Sequence, residues 1–144
     1  MAAIKDVFSP ALVAALAGEL SRAWPELDAE AFAADAADGL AELELKGRML
    51  HVTAALDRHL PADLDELERV IRGALVSPEF DSWMTVPVTY LVAERGIDAP
   101  DLALPLLADM TGRFSSEWAV RPFIERDPGT AFAWFRRWTG DPDP

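Results

Sequence analysis

The sequence predicts an all-α protein built as a short array of stacked helix hairpins, and three observations carry that reading. Apolar residues recur at three- and four-residue spacing from end to end, and capping and breaking residues cut this pattern into about eight segments. No stretch alternates with period two for long enough to form a sheet strand. Taken as consecutive pairs, the segments begin near residues 10, 43, 82 and 115, the length scale of αα-repeat arrays. The pairs do not repeat visibly in sequence, so a globular helical bundle is the alternative arrangement.

Each segment has its own signals. Ser9-Pro10 supplies a cap and a first-turn proline, and Phe8, Leu12, Leu16, Leu20 and Trp24 form one apolar face before Pro25 ends the helix. Asp28 caps an alanine-rich second helix that closes at Gly39. A third spans about Leu43 to Leu60, with Leu45, Met49, Val52, Leu56 and Leu60 on one side. Asp63 with Glu66 reads as a capping box for the fourth, whose stripe is Leu64, Leu67, Ile71 and Leu75. After the break at Ser77-Pro78, a fifth helix from about Ser82 reaches Gly96, read as the residue just past its end; Pro87 within it predicts a kink or a late start. Pro100 opens a sixth, with Leu102, Leu106 and Met110 inward. Ser115 or Ser116 opens a seventh, and Pro128 an eighth that ends at Gly140.

The chain of 144 residues suffices for one domain, residues 1–144, with a real core. With 51% hydrophobic residues it is too apolar for disorder. The absence of cysteine excludes disulfides, thiolate metal sites and cysteine nucleophiles. His51 and His59 lie eight apart on one helix without a ligand set around them, so neither a metal nor a cofactor is expected. Ala11 to Ala17 resembles a signal-peptide core, but Lys5 is cancelled by Asp6 and the four-residue periodicity describes an amphipathic helix instead. No apolar run approaches a bilayer span, so a cytoplasmic protein without a membrane partner is expected.

Charge is unevenly placed. Residues 1–110 carry 8 Lys/Arg against 20 Asp/Glu, whereas residues 111–144 carry 5 against 5, so the formal charge of -12 resides in the first part. An overall field of that sign repels phosphate, and any nucleic-acid contact must be local. Residues 109–138 are where it would lie: Arg113, Arg121, Arg126, Arg136 and Arg137 gather there with Trp118, Trp134, Trp138 and Glu117, which stands at a helix start. Cations and aromatic faces beside one acid can hold a phosphate backbone near a reactive base or sugar. Ordinary structural roles compete with this reading. Glu117 favours a helix N-terminus and pairs with Arg121 at i, i+4, the arginines pair with nearby acids, and Trp134 and Trp138 pack in the core.

In the functional reading, Glu117 faces a groove and Arg113, Arg121, Arg136 and Arg137 hold phosphates on either side. Loss of an alkylated, cationic base needs little acid catalysis because the base departs neutral. A fixed negative charge beside the developing sugar oxocarbenium is what helps, and one carboxylate suffices.

The stretch Arg113-Phe114-Ser115-Ser116-Glu117-Trp118-Ala119-Val120-Arg121-Pro122-Phe123-Ile124-Glu125-Arg126 resembles the signature of the AlkC-like branch of the DNA alkylation repair family of HEAT-like-repeat DNA glycosylases. Phe8-Ser9-Pro10, Trp24-Pro25 and Leu43-Glu44-Leu45-Lys46-Gly47-Arg48 leading to His51 extend the similarity along the chain. The resemblance implies a curved HEAT-like solenoid whose concave face grips duplex DNA and excises bases such as 3-methyladenine without flipping them into a deep pocket. Glu117 matches a carboxylate assigned to the active site, and Trp118 an aromatic position. Family members continue past the position of Asp141-Pro142-Asp143-Pro144 with further repeats and another catalytic carboxylate. The chain therefore reads as the truncated front part of a longer member, which weighs against full activity on its own. Its open C-terminal end, carrying Trp134, Phe135 and Trp138, is expected to expose apolar surface or to self-associate. The competing class is a noncatalytic binding or scaffold module. Glu117 facing solvent beside an arginine-lined concavity favours the enzyme; Glu117 engaged only by Arg121 on a convex face favours the scaffold.

Overall fold

The computed structural model describes residues 4–114 and 117–138, with only the backbone of Glu117 and Trp118. Among these residues every regular element is helical: α1 (Pro10–Ala23), α2 (Ala29–Ala37), α3 (Leu45–His59), α4 (Leu64–Leu75), α5 (Val86–Gly96), α6 (Pro100–Thr111), α7 (Glu117–Arg126) and α8 (Pro128–Trp138). Short 3₁₀ turns at Ile4–Val7, Leu40–Glu42 and Ser82–Thr85 join them. The eight helices expected from periodicity are thus present. Ser115 and Ser116, expected to cap α7, lie outside the described residues.

Local chemistry sets the boundaries. The Ser9 hydroxyl accepts from Leu12 N at 3.2 Å, the Asp28 carboxylate from Ala31 N at 3.0 Å, and that of Asp63 from Glu66 N at 3.0 Å, each satisfying an amide that helix geometry leaves open. Asp127 does the same for α8 through Thr130 N, and its bonds with Thr130 hold its carboxyl below the usual range. Gly39 stands at φ 74°, where a side chain would be strained, and turns the chain out of α2. Pro87 produces the late start: residues 82–85 form a 3₁₀ turn, and the proline falls in the first turn of α5, where it costs no hydrogen bond.

The last three hairpins stack in two layers, with α3, α5 and α7 side by side in one and α4, α6 and α8 in the other. Helices α1 and α2 close the first end, α1 against α2, α4 and the 82–85 turn, and α2 against α3. Helix α5 is central, touching α3, α6 and α7, and its Val88, Leu91 and Val92 are fully buried. Cross-layer packing runs as one core from Leu16, Leu20 and Phe32 through Leu56, Ile71 and Leu104 to Phe123 and Ala131. On α8 Phe132 and Trp138 are exposed, while Trp134 and Phe135, expected to share an apolar surface with Trp138, are partly buried against the core.

Arginines tie the connections between helices. Arg48, in the first turns of α3, is 6% exposed. Its guanidinium donates to the carbonyls of Leu43 (2.8 Å), Lys5 (3.1 Å), Phe8 (3.2 Å) and Ala41 (3.1 Å), binding the N-terminal turn to the α2–α3 connection. Arg95 near the end of α5 reaches Asp57 (2.8 Å to its carboxylate) and the Pro61 carbonyl at the end of α3.

Candidate nucleic-acid interface

Helices α3, α5 and α7 run parallel. Their C-terminal ends are linked by Arg95 to Asp57 and by Arg126 to Asp98 at 2.5 Å, and their first turns meet at the opposite edge. A cleft of about 390 Å³ opens at that edge. It is lined by Leu45, Lys46 and Met49 of α3, by Trp83, Val86, Thr89 and Tyr90 of the α5 segment, and by Phe114 and Ala119. Glu117 opens α7 two residues before Ala119, so the backbone of the predicted carboxylate residue begins beside this cleft. The side chains of Glu117 and Trp118 lie outside the described residues.

The cleft is held by aromatic packing and one strained residue. The Trp83 ring lies edge-on to buried Phe8 at 5.9 Å and against Phe114 at 4.9 Å. Ser82 adopts φ 61°, a conformation disfavoured for a residue with a side chain, and its N–H donates to the Arg113 carbonyl at 3.1 Å. Thr89 spends its hydroxyl proton on the Val86 carbonyl at 2.6 Å. Burial pushes the Tyr90 phenol above its usual range, so it stays a neutral hydroxyl at physiological pH.

The structure separates the arginines that the sequence groups. Arg113 turns inward: its guanidinium donates to the carbonyls of Ser77 (2.7 Å), Phe80 (2.8 Å) and Leu75, so it clamps the turn after α4 and sets the position of its neighbour Phe114. Arg121 is exposed on α7, one turn beyond Glu117. Arg136 and Arg137 are exposed on α8, in the other layer. The Arg137 guanidinium lies 4.5 Å from the Trp134 ring centroid, and the Trp134 indole N–H donates to Asp101 at 3.0 Å. That tryptophan is a half-buried joint between α6 and α8, close to the core role weighed for it from sequence.

Sequence reasoning missed the cleft. Leu45 and Met49, which periodicity places on one side of α3 with Val52, Leu56 and Leu60, border open space, and Trp83 and Tyr90 carry no expectation from sequence. The available signal was two large aromatics at i, i+7 across the start of α5, which places both near one face of a helix.

Two layers of helices stacked hairpin on hairpin define a helical-repeat solenoid, here with an aromatic cleft where three helix starts converge. The solved Pseudomonas fluorescens alkylpurine DNA glycosylase AlkC, bound to DNA containing an abasic site analog, matches the fold with a TM-score of 0.81 at 26% identity, covering 99% of this chain and 40% of that one. Uncharacterized protein YhaZ of Bacillus subtilis (strain 168) is 26% identical over 140 residues, 96% of this chain and 39% of YhaZ. No family model matches the chain. The chain spans about two fifths of the length of both relatives. The resemblance to the AlkC-like branch read from the sequence is borne out by this neighbour.

Proposed function

We propose that the chain is a cytoplasmic DNA-repair module of the AlkC type, which grips duplex DNA and takes part in excising cationic N-alkylated bases such as 3-methyladenine. The observation that carries this reading is the likeness, over 99% of the chain, to an alkylpurine DNA glycosylase solved with DNA. Glu117 is the carboxylate whose fixed charge opposes the oxocarbenium as the glycosidic bond breaks, with the base leaving neutral and water completing the hydrolysis. Arg121, Arg136 and Arg137 contact phosphates, and Trp118 offers an aromatic face. Arg113 contributes through the turn it holds. With a formal charge of -12, the chain relies on these local cations rather than on its overall field.

A second reading is favoured by the formal charge of -12, whose overall field is a weak one for DNA: a noncatalytic module that keeps the solenoid and binds DNA or another partner without chemistry. Release of 3-methyladenine from alkylated duplex DNA separates the two. The enzyme reading expects release by the intact protein and a loss of about a hundredfold in Glu117→Gln, which removes charge and keeps shape. Undiminished release by that variant removes Glu117 from the chemistry; DNA binding with no release at all leaves the noncatalytic reading standing.

A further inference from the structure

Among the described residues Ser82 alone, glycine aside, has a positive φ, at 61°. It follows Asp81 in extended conformation (φ -154°, ψ 164°) and opens the 3₁₀ turn that leads into α5. A residue with a side chain keeps this conformation only where surrounding contacts hold it, and such residues cluster at functional sites. The contact that holds Ser82 is a main-chain one: its N–H donates to the Arg113 carbonyl at 3.1 Å. Arg113 answers with its side chain, which donates to the carbonyls of Leu75, Ser77 (2.7 Å) and Phe80 (2.8 Å). The next ring along, Trp83, lies 4.9 Å from that of Phe114. The α4–α5 connection thus grips Arg113 and Phe114 by main chain, side chain and ring together.

What this grip fixes is the approach to α7. Only two residues separate Phe114 from Glu117, the first residue of α7, and two residues further on Ala119 is 1% exposed and packed in the core. The Glu117 backbone therefore stands between two anchored points, and the one before it hangs on the Ser82 backbone. The stabilisation that a fixed charge gives to a nearby cation falls with distance, so a small displacement of the helix start changes the rate of the chemistry while leaving the phosphate contacts in place. Ser82 itself is exposed, so its contribution is a backbone conformation rather than a packed side chain. We propose that Ser82 is a positioning residue for Glu117, its left-handed backbone fixing Arg113 and Phe114 and through them the start of α7. This rests on the assignment of Glu117 to the chemistry and adds the residue that sets where its backbone stands.

The test measures release of 3-methyladenine from alkylated duplex DNA by the intact protein, as wild type and as Ser82→Val, Ser82→Thr, Ser82→Gly and Glu117→Gln. A β-branched residue resists positive φ most strongly, so Ser82→Val and Ser82→Thr are expected to lose about tenfold in kcat with KM unchanged. Ser82→Gly takes the same φ freely and keeps the N–H, and it sustains the wild-type kcat. The threonine variant retains a hydroxyl and the glycine variant lacks one, so this pattern assigns the effect to the backbone. Undiminished kcat in Ser82→Val and Ser82→Thr beside a loss in Glu117→Gln overturns the inference and leaves Glu117 in its role. A loss in Ser82→Gly as large as in Ser82→Val also overturns it, because the side chain is then what matters. So does a raised KM with unchanged kcat, which marks a residue that supports DNA binding alone. Undiminished release by Glu117→Gln, or no release by wild type, overturns the catalytic reading and this inference together. Because Ser82 is exposed, none of its three replacements enters the packed core, and all are expected to fold.

Discussion

Gly96 and Ala103 meet so closely where α5 turns into α6 that a Cβ on Gly96 would stand 2.5 Å from the Ala103 Cβ. That distance is shorter than real carbon contacts allow, so the two helices can approach this far only with glycine at position 96. From sequence Gly96 reads as the residue just past a helix end, chosen for its conformational freedom. It is instead the last residue of α5, at an ordinary backbone conformation, and its function is the close approach. Gly96→Ala is therefore expected to destabilise the protein by about 1–3 kcal/mol through overpacking, although alanine is the better helix former. Urea unfolding measures it. The double variant Gly96→Ala with Ala103→Gly should recover part of the loss.

Arg48 is expected to be the least replaceable polar residue of the first hairpin. Four main-chain carbonyls from two separate segments accept from its guanidinium, and it is almost entirely buried. Arg48→Met fills similar volume but leaves those carbonyls without donors, at a cost of about 3 kcal/mol or more. Arg48→Lys should rescue little, since one ammonium cannot reach acceptors that the planar fork spans. Thermal unfolding of the three proteins gives the comparison, and a lysine variant as stable as wild type would refute the hub role.

Local chemistry explains which features were legible in the sequence. Ser9, Asp28 and Asp63 act on amides three residues away, so their capping roles follow from spacing alone. Pro87 likewise delays α5 through its own ring. The acceptors of Arg48 and Arg113 are carbonyls up to 43 residues away, and a carbonyl has no sequence signature. For the same reason five arginines within one short stretch looked like one face: the chain folds them into an inward clamp at Arg113, two positions on α7 and two on α8. The cleft draws its walls from three helices, and only the assembled layers reveal that Met49, Trp83 and Phe114 share a space.

Acid sensitivity should have a local component at the α2–α3 contact. The Asp35 carboxylate accepts from Arg58 at 2.9 and 3.0 Å and lies 3.0 Å from His59 Nε2. The Arg58 hydrogen bonds, foremost, hold its pKa below the ordinary 3.8, against a smaller opposing effect of burial. A carboxyl whose folded pKa is depressed contributes stability that is fully present above its unfolded value and is lost as pH falls through the folded one. Stability measured by urea unfolding should thus decline below about pH 4 more steeply in wild type than in Asp35→Asn. Equal slopes for the two proteins would show that the ion pair contributes nothing on folding.

Arg113 and Arg121 should fail in opposite ways, although they lie eight residues apart and carry the same charge. Arg113 spends its guanidinium on the carbonyls of Leu75, Ser77 and Phe80, so Arg113→Ala leaves acceptors of a partly buried turn unpaired. Its expected effect is a loss of about 1–3 kcal/mol in unfolding free energy. Any loss of DNA affinity should follow from the displaced turn, with the salt dependence unchanged, because no phosphate contact is removed. Arg121 is exposed on α7 and is assigned a phosphate. Arg121→Ala should change stability by less than about 0.5 kcal/mol and flatten the slope of log affinity against log salt by about one, since each neutralised phosphate releases roughly one counterion. Binding measured across a salt series, together with urea unfolding, places each arginine on one side or the other. If Arg113→Ala flattened the slope while leaving stability untouched, Arg113 would have to reach DNA and its role as a clamp would fall.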